Sequence, residues 1–308
     1  MSDVGQSTGT PPRDFRRRDQ RAVAASCAAI SAALLGVGQL LFAQWTGLLA
    51  WRGMGHESLA ATVNEASLII WLPAAAVAIG AAIPGLVLQI NVGRRKRYGL
   101  PAIAACGAFL AVPVSTAIAA WAKMYGGGIS QLRAMVLVCI GLALGTVFAI
   151  ATVKSRAMTW SIVLWQVCGW LLLLLAFRGM TRPPVLGHLD PGEAWAADDR
   201  VLQARVLLCV IAFVAGVGLG VASVFYGWGA RQVRGRLLPP AVPLPLLASA
   251  SGPGLMFLAY VLACLIEQTF FFGNAASLAS ATLVAAAGAY VGAEIGRRTM
   301  PACKNAAK

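Results

Sequence analysis

The sequence predicts an all-α, polytopic membrane protein of about eight transmembrane helices, the seventh of them broken. Three observations carry that expectation. Of the 308 residues, 59% are hydrophobic and 12% charged, against about 25% charged in soluble domains, so too little polar surface exists to cover a soluble core of this size. The mean hydropathy is +0.74, and the apolar residues gather into runs of roughly 20 or more, the length a helix needs to cross a hydrocarbon core of about 30 Å. Basic residues crowd alternate connections between those runs.

The runs cover residues 22–50, 66–90, 100–122, 134–153, 158–177, 206–227, 253–272 and 275–295. The first follows Arg13, Arg16, Arg17, Arg18 and Arg21 and is much longer than the apolar region of a signal peptide, about 7–15 residues, so it reads as an uncleaved anchor. Arg94, Arg95, Lys96 and Arg97 follow the second run, Lys154 and Arg156 the fourth, and Arg231, Arg234 and Arg236 the sixth. Arg297, Arg298, Lys304 and Lys308 close the chain. Eighteen of the 25 lysines and arginines therefore share the side of the termini, and seven (Arg52, Lys123, Arg133, Arg178, Arg182, Arg200, Arg205) lie opposite. Because Lys and Arg are retained in the cytoplasm, both ends are expected there, in a multi-pass protein of the cell membrane. That distribution accounts for the net charge of +14 with no nucleic-acid partner.

The expected organisation is a basic tail (1–21), a first four-helix half (22–153), a second half (154–298) with an outer loop at 178–205, and a short tail (299–308). Pro183, Pro184, Gly187, Pro191 and Gly192 mark that loop, and Asp190 is placed to cap a short helix over 193–203. Trp45, Trp51, Trp71, Trp121, Tyr125, Trp160 and Trp228 read as an interfacial belt near span ends.

Seven cysteines stand singly with no CxxC pair, and His56 and His188 fall in connections, so neither a disulfide framework, a metal site nor any other cofactor is expected. The phosphate loop GxxxxGK[ST], HExxH and GxSxG are all missing from the chain, and no residue is expected to be catalytic.

Within lipid, backbone groups must be bonded internally and ionisable groups are expensive, so exceptions to the apolar rule carry the information. Pro73, Pro84 and Pro113 are expected to kink their spans. Residues 237–272 would measure about 54 Å as one helix, too long for one crossing. They include Pro239, Pro240, Pro243 and Pro245 and then Ser249, Ala250, Ser251, Gly252, Pro253 and Gly254. A re-entrant or interfacial piece, a break at 249–254 and then the span proper are expected. The freed amide and carbonyl groups would be of the kind transporters use for solutes and ions; the competing reading is a loop ending in a proline-started helix.

Glu65 and Glu294 have local explanations, a helix N-terminus and Arg297 or Arg298 one turn on. Glu267, followed by Gln268, lies some fifteen residues into the seventh run with no basic residue near it in sequence. An unpartnered carboxylate there has to reach water, which nominates Glu267 and Gln268, with Ser249, Ser251, Gly252, Pro253 and Gly254, for a substrate or ion pathway. A place at the outer interface is the alternative. Gly288 and Gly292 form a GxxxG in a span dense in alanine, a pattern that lets helices pack closely and leaves a homo-oligomer open. Arg94, Arg97, Leu100 and Pro101 parallel Arg231, Arg234, Leu238 and Pro239, a likeness that repeated halves would give and that positive-inside bias with proline at a helix start gives without any duplication.

The second half, residues 134–298, resembles the membrane domain of the threonine/serine exporter family. The residues that carry the likeness are Lys154, Ser155 and Arg156; Gly169 and Trp170; Arg234 to Pro240; Pro253, Gly254, Leu255 and Tyr260; and the closing stretch Gly292 to Arg298. The resemblance implies export of small amino acids or dicarboxylates driven by a proton gradient, with Pro253, Gly254 and Tyr260 near the pathway. Two functions are thus expected to compete: a transporter or exporter of a small polar, amino acid-like solute coupled to protons, and a non-transporting membrane subunit for assembly, secretion or envelope structure. The partners expected are the lipid bilayer and, for the first reading, the solute and a proton.

Overall fold

The computed structural model describes residues 13–46, 48–49, 59–87, 99–124, 129–177, 199–226, 231–233, 236–238, 243–269 and 272–306. Nine helices follow in order among them: α1 (Arg13–Trp45), α2 (Leu59–Leu86), α3 (Leu100–Ala108), α4 (Ala111–Met124), α5 (Gln131–Thr152), α6 (Arg156–Phe177), α7 (Asp199–Phe225), α8 (Pro243–Ile266) and α9 (Phe272–Ala306). Two three-residue strands, β1 (Arg231–Val233) and β2 (Arg236–Leu238), pair antiparallel between α7 and α8, with Arg231 opposite Leu238. The helices α3 and α4 are successive pieces of one rod, so eight rods remain. Seven are long and apolar enough to cross a bilayer by length and composition, and α6, with 22 residues, is the eighth. The fold is that of a multi-pass helical membrane protein.

The joint between α3 and α4 has a local cause. Pro113 has no N–H to give the carbonyl four residues back, at Phe109, and its ring crowds that carbonyl. The backbone answers with a tighter turn, Val112 N donating to Phe109 O at 2.9 Å and Leu110 N to Gly107 O at 3.3 Å. At the other end of the first rod, α1 begins at Arg13, so part of the expected basic tail is helix continuous with the first span, and it stops at Trp45 rather than residue 50. Thr46 closes it, its hydroxyl donating to Phe42 O at 2.8 Å. Likewise α9 continues to Ala306, into the expected tail. Helices do not end where apolar composition does.

The centre of the bundle is α2, whose residues from Thr62 to Ala82 are all buried except Glu65. The helices α1, α3, α5, α6 and α8 pack around it. Because α2 opens at Leu59 rather than residue 66, Trp71 sits deep in the bundle at 1% exposure, not in the interfacial belt. Trp45, Trp121 and Trp160 are exposed, as belt residues are. In each half the first helix packs on the third, α1 on α3 and α6 on α8, and the second on the fourth, α2 on α5 and α7 on α9.

Those second-on-fourth seams are made by glycine. A Cβ on Gly145 of α5 would meet Ala74 O of α2 at 2.5 Å, and one on Gly141 would meet Ile70 O. In the other half, Gly288 and Gly292 of α9 lie against Phe213 O and Val217 O of α7, and Gly216 and Gly220 answer against Ala285 O and Ala289 O. The GxxxG of the last span is thus occupied by the chain's own α7.

The expected break at 249–254 is not present: α8 runs as one helix from Pro243 to Ile266 through Pro253. The physical reason lies in a neighbouring helix. Pro253 cannot donate to the carbonyl of Ser249, and that orphaned oxygen accepts instead from Ser161 Oγ of α6 at 2.7 Å. Ser161 Oγ in turn accepts from Gly252 N at 3.1 Å. One hydroxyl satisfies both backbone groups, so the helix continues.

The eight rods alternate in direction. One end of the bundle gathers the start of α1, the α5–α6 turn, the β-hairpin and the end of α9 and is called the basic end below; the other is the far end. The N-terminal residues 1–12, the connection 88–98 with Arg94 to Arg97, and residues 178–198 of the expected loop lie outside the described residues. From Asp199 onward that loop belongs to α7, which takes in the second part of the short helix expected at 193–203.

Candidate functional site

The polar residues singled out in α8 do not converge. Ser249 and Glu267 stand eighteen positions apart, about 27 Å along a helix at 1.5 Å per residue. They serve two different places, one toward the basic end and one at the far end.

At the far end the site begins with two helix termini. Ser130 adopts extended backbone and caps α5, its Oγ accepting from Arg133 N at 3.2 Å, which fixes the first turn and therefore Arg133. The end of α8 closes with Glu267 N donating to Ala263 O at 2.9 Å and Thr269 N to Cys264 O at 3.0 Å. Gln268 takes the left-handed conformation, φ 50°, at the position such a closure usually gives to glycine. The reversal leaves Gln268 exposed and turns Glu267 inward to 6% exposure. There Arg133 Nη2 donates to Glu267 Oε1 across 134 residues of sequence.

Glu267 is therefore compensated, contrary to the expectation from sequence, and it sits at the far end of its span. The pairing is single-pronged: Arg133 Nε and Glu267 Oε2 are buried with no partner among the described residues. At the same end of the bundle, Asn274 Nδ2 of α9 donates to Asn64 Oδ1 of α2 at 3.3 Å, and both side chains are buried. Ser67 Oγ donates to Asn64 O at 2.8 Å. Both long-range links join the first half of the chain to the second: one ties the start of α5 to the end of α8 and the other the start of α2 to the start of α9, as eight alternating rods require.

Toward the basic end, Ser249, Ser251 and Gly252 are stitched into packing. Ser249 Oγ donates to Leu246 O at 3.0 Å and lies 3.1 Å from Ala285 O of α9. Ser251 Oγ donates to Ala248 O at 2.6 Å, with Met158 O of α6 at 3.3 Å. A Cβ on Gly252 would stand 2.6 Å from Ser161 O and 2.7 Å from Trp165 Cβ. Pro253 is buried, Gly254 faces Thr282 Cγ2, and Tyr260, six residues before the end of α8, is fully buried. These residues hold α6, α8 and α9 together.

Ser161→Ala is accordingly expected to destabilise the fold by about 1–3 kcal/mol, the cost of leaving buried polar groups unpaired. In a Pro253→Ala background, where Ser249 O regains its own helical donor, the same substitution is expected to do markedly less. Thermal unfolding of the four variants in detergent micelles measures the coupling, and equal effects in both backgrounds would refute it.

Arg133, Asn64 and Asn274 escaped the sequence reading because their partners are remote, although amides inside apolar runs are a signal in themselves. Three more amides belong with them. Gln166 of α6 is 5% exposed and both its Oε1 and Nε2 are buried without a partner among the described residues; Gln39 Oε1 and Gln44 Oε1 of α1 are in the same condition.

Comparisons with protein families, with characterised proteins and with solved structures give no match to this chain. What the fold itself defines is a class: an integral, multi-pass helical membrane protein with glycine-lined seams and an ionic link between its two halves.

Proposed function

We propose that this chain is a carrier for a small polar, amino acid-like solute, oriented with its basic end in the cytoplasm, and that Arg133–Glu267 is the lock on its outer side. One observation supports the reading above others. A buried ion pair is weak evidence for stability, since apolar residues do as well, yet here it spans the two halves of the bundle where they must part to open a path. Its single-pronged geometry leaves Glu267 Oε2 free to receive a proton. Protonation neutralises the carboxylate, releases Arg133 and unlocks the outer end, which would couple the solute to protons. The resemblance to threonine/serine exporters points to the same class of solute.

The test is reconstitution. Proteoliposomes are expected to take up amino acids in a pH-dependent way, and Glu267→Gln, which fixes the neutral form, is expected to abolish the pH dependence. Retention of full pH dependence in that variant would remove Glu267 from the coupling. A second reading, a non-transporting membrane subunit, draws on Ser161: the backbone groups that a proline break would have freed for a solute are already satisfied. The absence of flux for every solute would favour it.

A further inference from the structure

Two glutamines lie one turn below an aromatic contact between the halves. Phe42 of α1 and Trp170 of α6 meet edge to face with ring centroids 5.0 Å apart. Both helices are odd-numbered rods and run in the same direction, from the basic end toward the far end. Three residues back from Phe42 is Gln39, and four residues back from Trp170 is Gln166. Positions three and four apart share a helix face, so each amide lies one turn below the ring of its own helix, on the side that carries the ring. Central α2 completes the surround: Trp71 covers Gly169, where a Cβ would stand 2.8 Å from Trp71 Cη2.

The amides are not bonded to each other. Gln39 Oε1, Gln166 Oε1 and Gln166 Nε2 are all buried and unpartnered among the described residues. In hydrocarbon surroundings such groups are strongly unfavourable, whereas leucine would fill a similar volume without that penalty. Departures of this kind mark functional sites. The place also fits, because carriers bind their solutes between the two parts of the bundle, and α1 and α2 belong to the first half of the chain and α6 to the second.

We infer that Gln39 and Gln166 form a recognition subsite for an uncharged polar group beneath the Phe42–Trp170 pair: a carboxamide, which donates to both carbonyls and accepts from Gln166 Nε2, or a hydroxyl, which donates its one proton to either carbonyl and accepts from Gln166 Nε2. The helices that carry these groups offer no charge beside them. The only charged residues of α2 and α6 are Glu65 and Arg156, and α1 has none beyond Arg21. Glu65 is six residues from Trp71 and Arg156 ten from Gln166, distances of about 9 and 15 Å along a helix. An ionised group here would have no counter-charge on α1, α2 or α6, and burying one unpaired is prohibitive. The inference rests on the carrier reading for its purpose and narrows it: whatever charge the solute bears elsewhere, a neutral part of it passes here.

Thiol labelling and flux together test this. In a Cys168→Ala background, Gln166→Cys is expected to react with uncharged 2-hydroxyethyl methanethiosulfonate at least tenfold faster than with the cationic trimethylammonioethyl reagent. Equal rates, or no reaction with either, would overturn the subsite. In proteoliposome swelling assays with acetamide, glycerol and glycine, the Gln39→Leu/Gln166→Leu variant is expected to lose at least tenfold in flux of the uncharged solutes while its thermal unfolding midpoint stays equal or rises. Unchanged flux in that variant also overturns the subsite and leaves the carrier reading intact. Selective labelling with no flux of any solute has the opposite meaning: the subsite stands and the carrier reading falls.

Discussion

Glu267→Ala and Arg133→Ala are each expected to destabilise the protein by about 3–5 kcal/mol, the size found when one partner of a buried ion pair is removed. The arithmetic is that of a stranded charge. Glu267 has a side-chain exposure of 1% and Arg133 of 17%, so either group left alone keeps most of its desolvation penalty and loses the Coulombic term that offsets it. The arginine, nearer to water, can relax outward, and Glu267→Ala should therefore be the milder of the two. Replacing both, Arg133→Met with Glu267→Leu, is expected to restore most of the stability, because two apolar side chains of similar volume need no compensation. Thermal unfolding of wild type, both single variants and the double variant in micelles gives the interaction directly. If Arg133→Ala unfolds at the wild-type temperature, Glu267 has a route to water of its own, and the lock proposed for the outer end loses its basis.

That pair also shows what a linear sequence conceals. The eight rods were legible because length and composition alone decide whether a segment can cross a bilayer. Local ion pairs were legible for a similar reason: Glu294 meets Arg298 at 3.0 Å through i,i+4 spacing, as the helix period dictates. Arg133–Glu267 spans 134 residues and Asn64–Asn274 spans 210, and no period relates them. Pro113 and Pro253 make the point more sharply. Both remove a helical donor, yet the first divides its rod into α3 and α4 while the second leaves α8 whole. The difference is the Ser161 hydroxyl, which reaches the orphaned carbonyl from a helix 88 positions away. Proline announces the vacancy in the hydrogen-bond ladder; only packing says whether something fills it. The partners of the nominated residues were hidden for the same reason, since the features of α8 that look like openings in sequence are met by residues of α5 and α6.

Gly292→Leu is expected to have the other large effect, separating α7 from α9. The seam between them is the most extensive in the bundle, and it depends on reciprocal absence of side chains: any Cβ on Gly292 would overlap Val217 O, and any on Gly220 would overlap Ala289 O. Overpacking an ordinary core costs about 1–3 kcal/mol because neighbours repack. Backbone carbonyls of a helix cannot repack, so the loss is expected to reach at least the upper part of that range. Gly218→Leu is the matched control, on α7 but with open space around its Cβ direction, and its stability should equal or exceed wild type because leucine is the better helix former. The seam can be read chemically as well. Cys209 Sγ lies 3.7 Å from Ser280 Oγ across it, so Ser280→Cys under mild oxidation is expected to form an intramolecular disulfide with Cys209, visible as faster migration on a non-reducing gel. Adding Gly292→Leu should abolish that bond and Gly218→Leu should not. A cross-link between two chains in place of the internal one would mean that the GxxxG of α9 pairs copies of the protein, and the seam described above would then belong to a dimer.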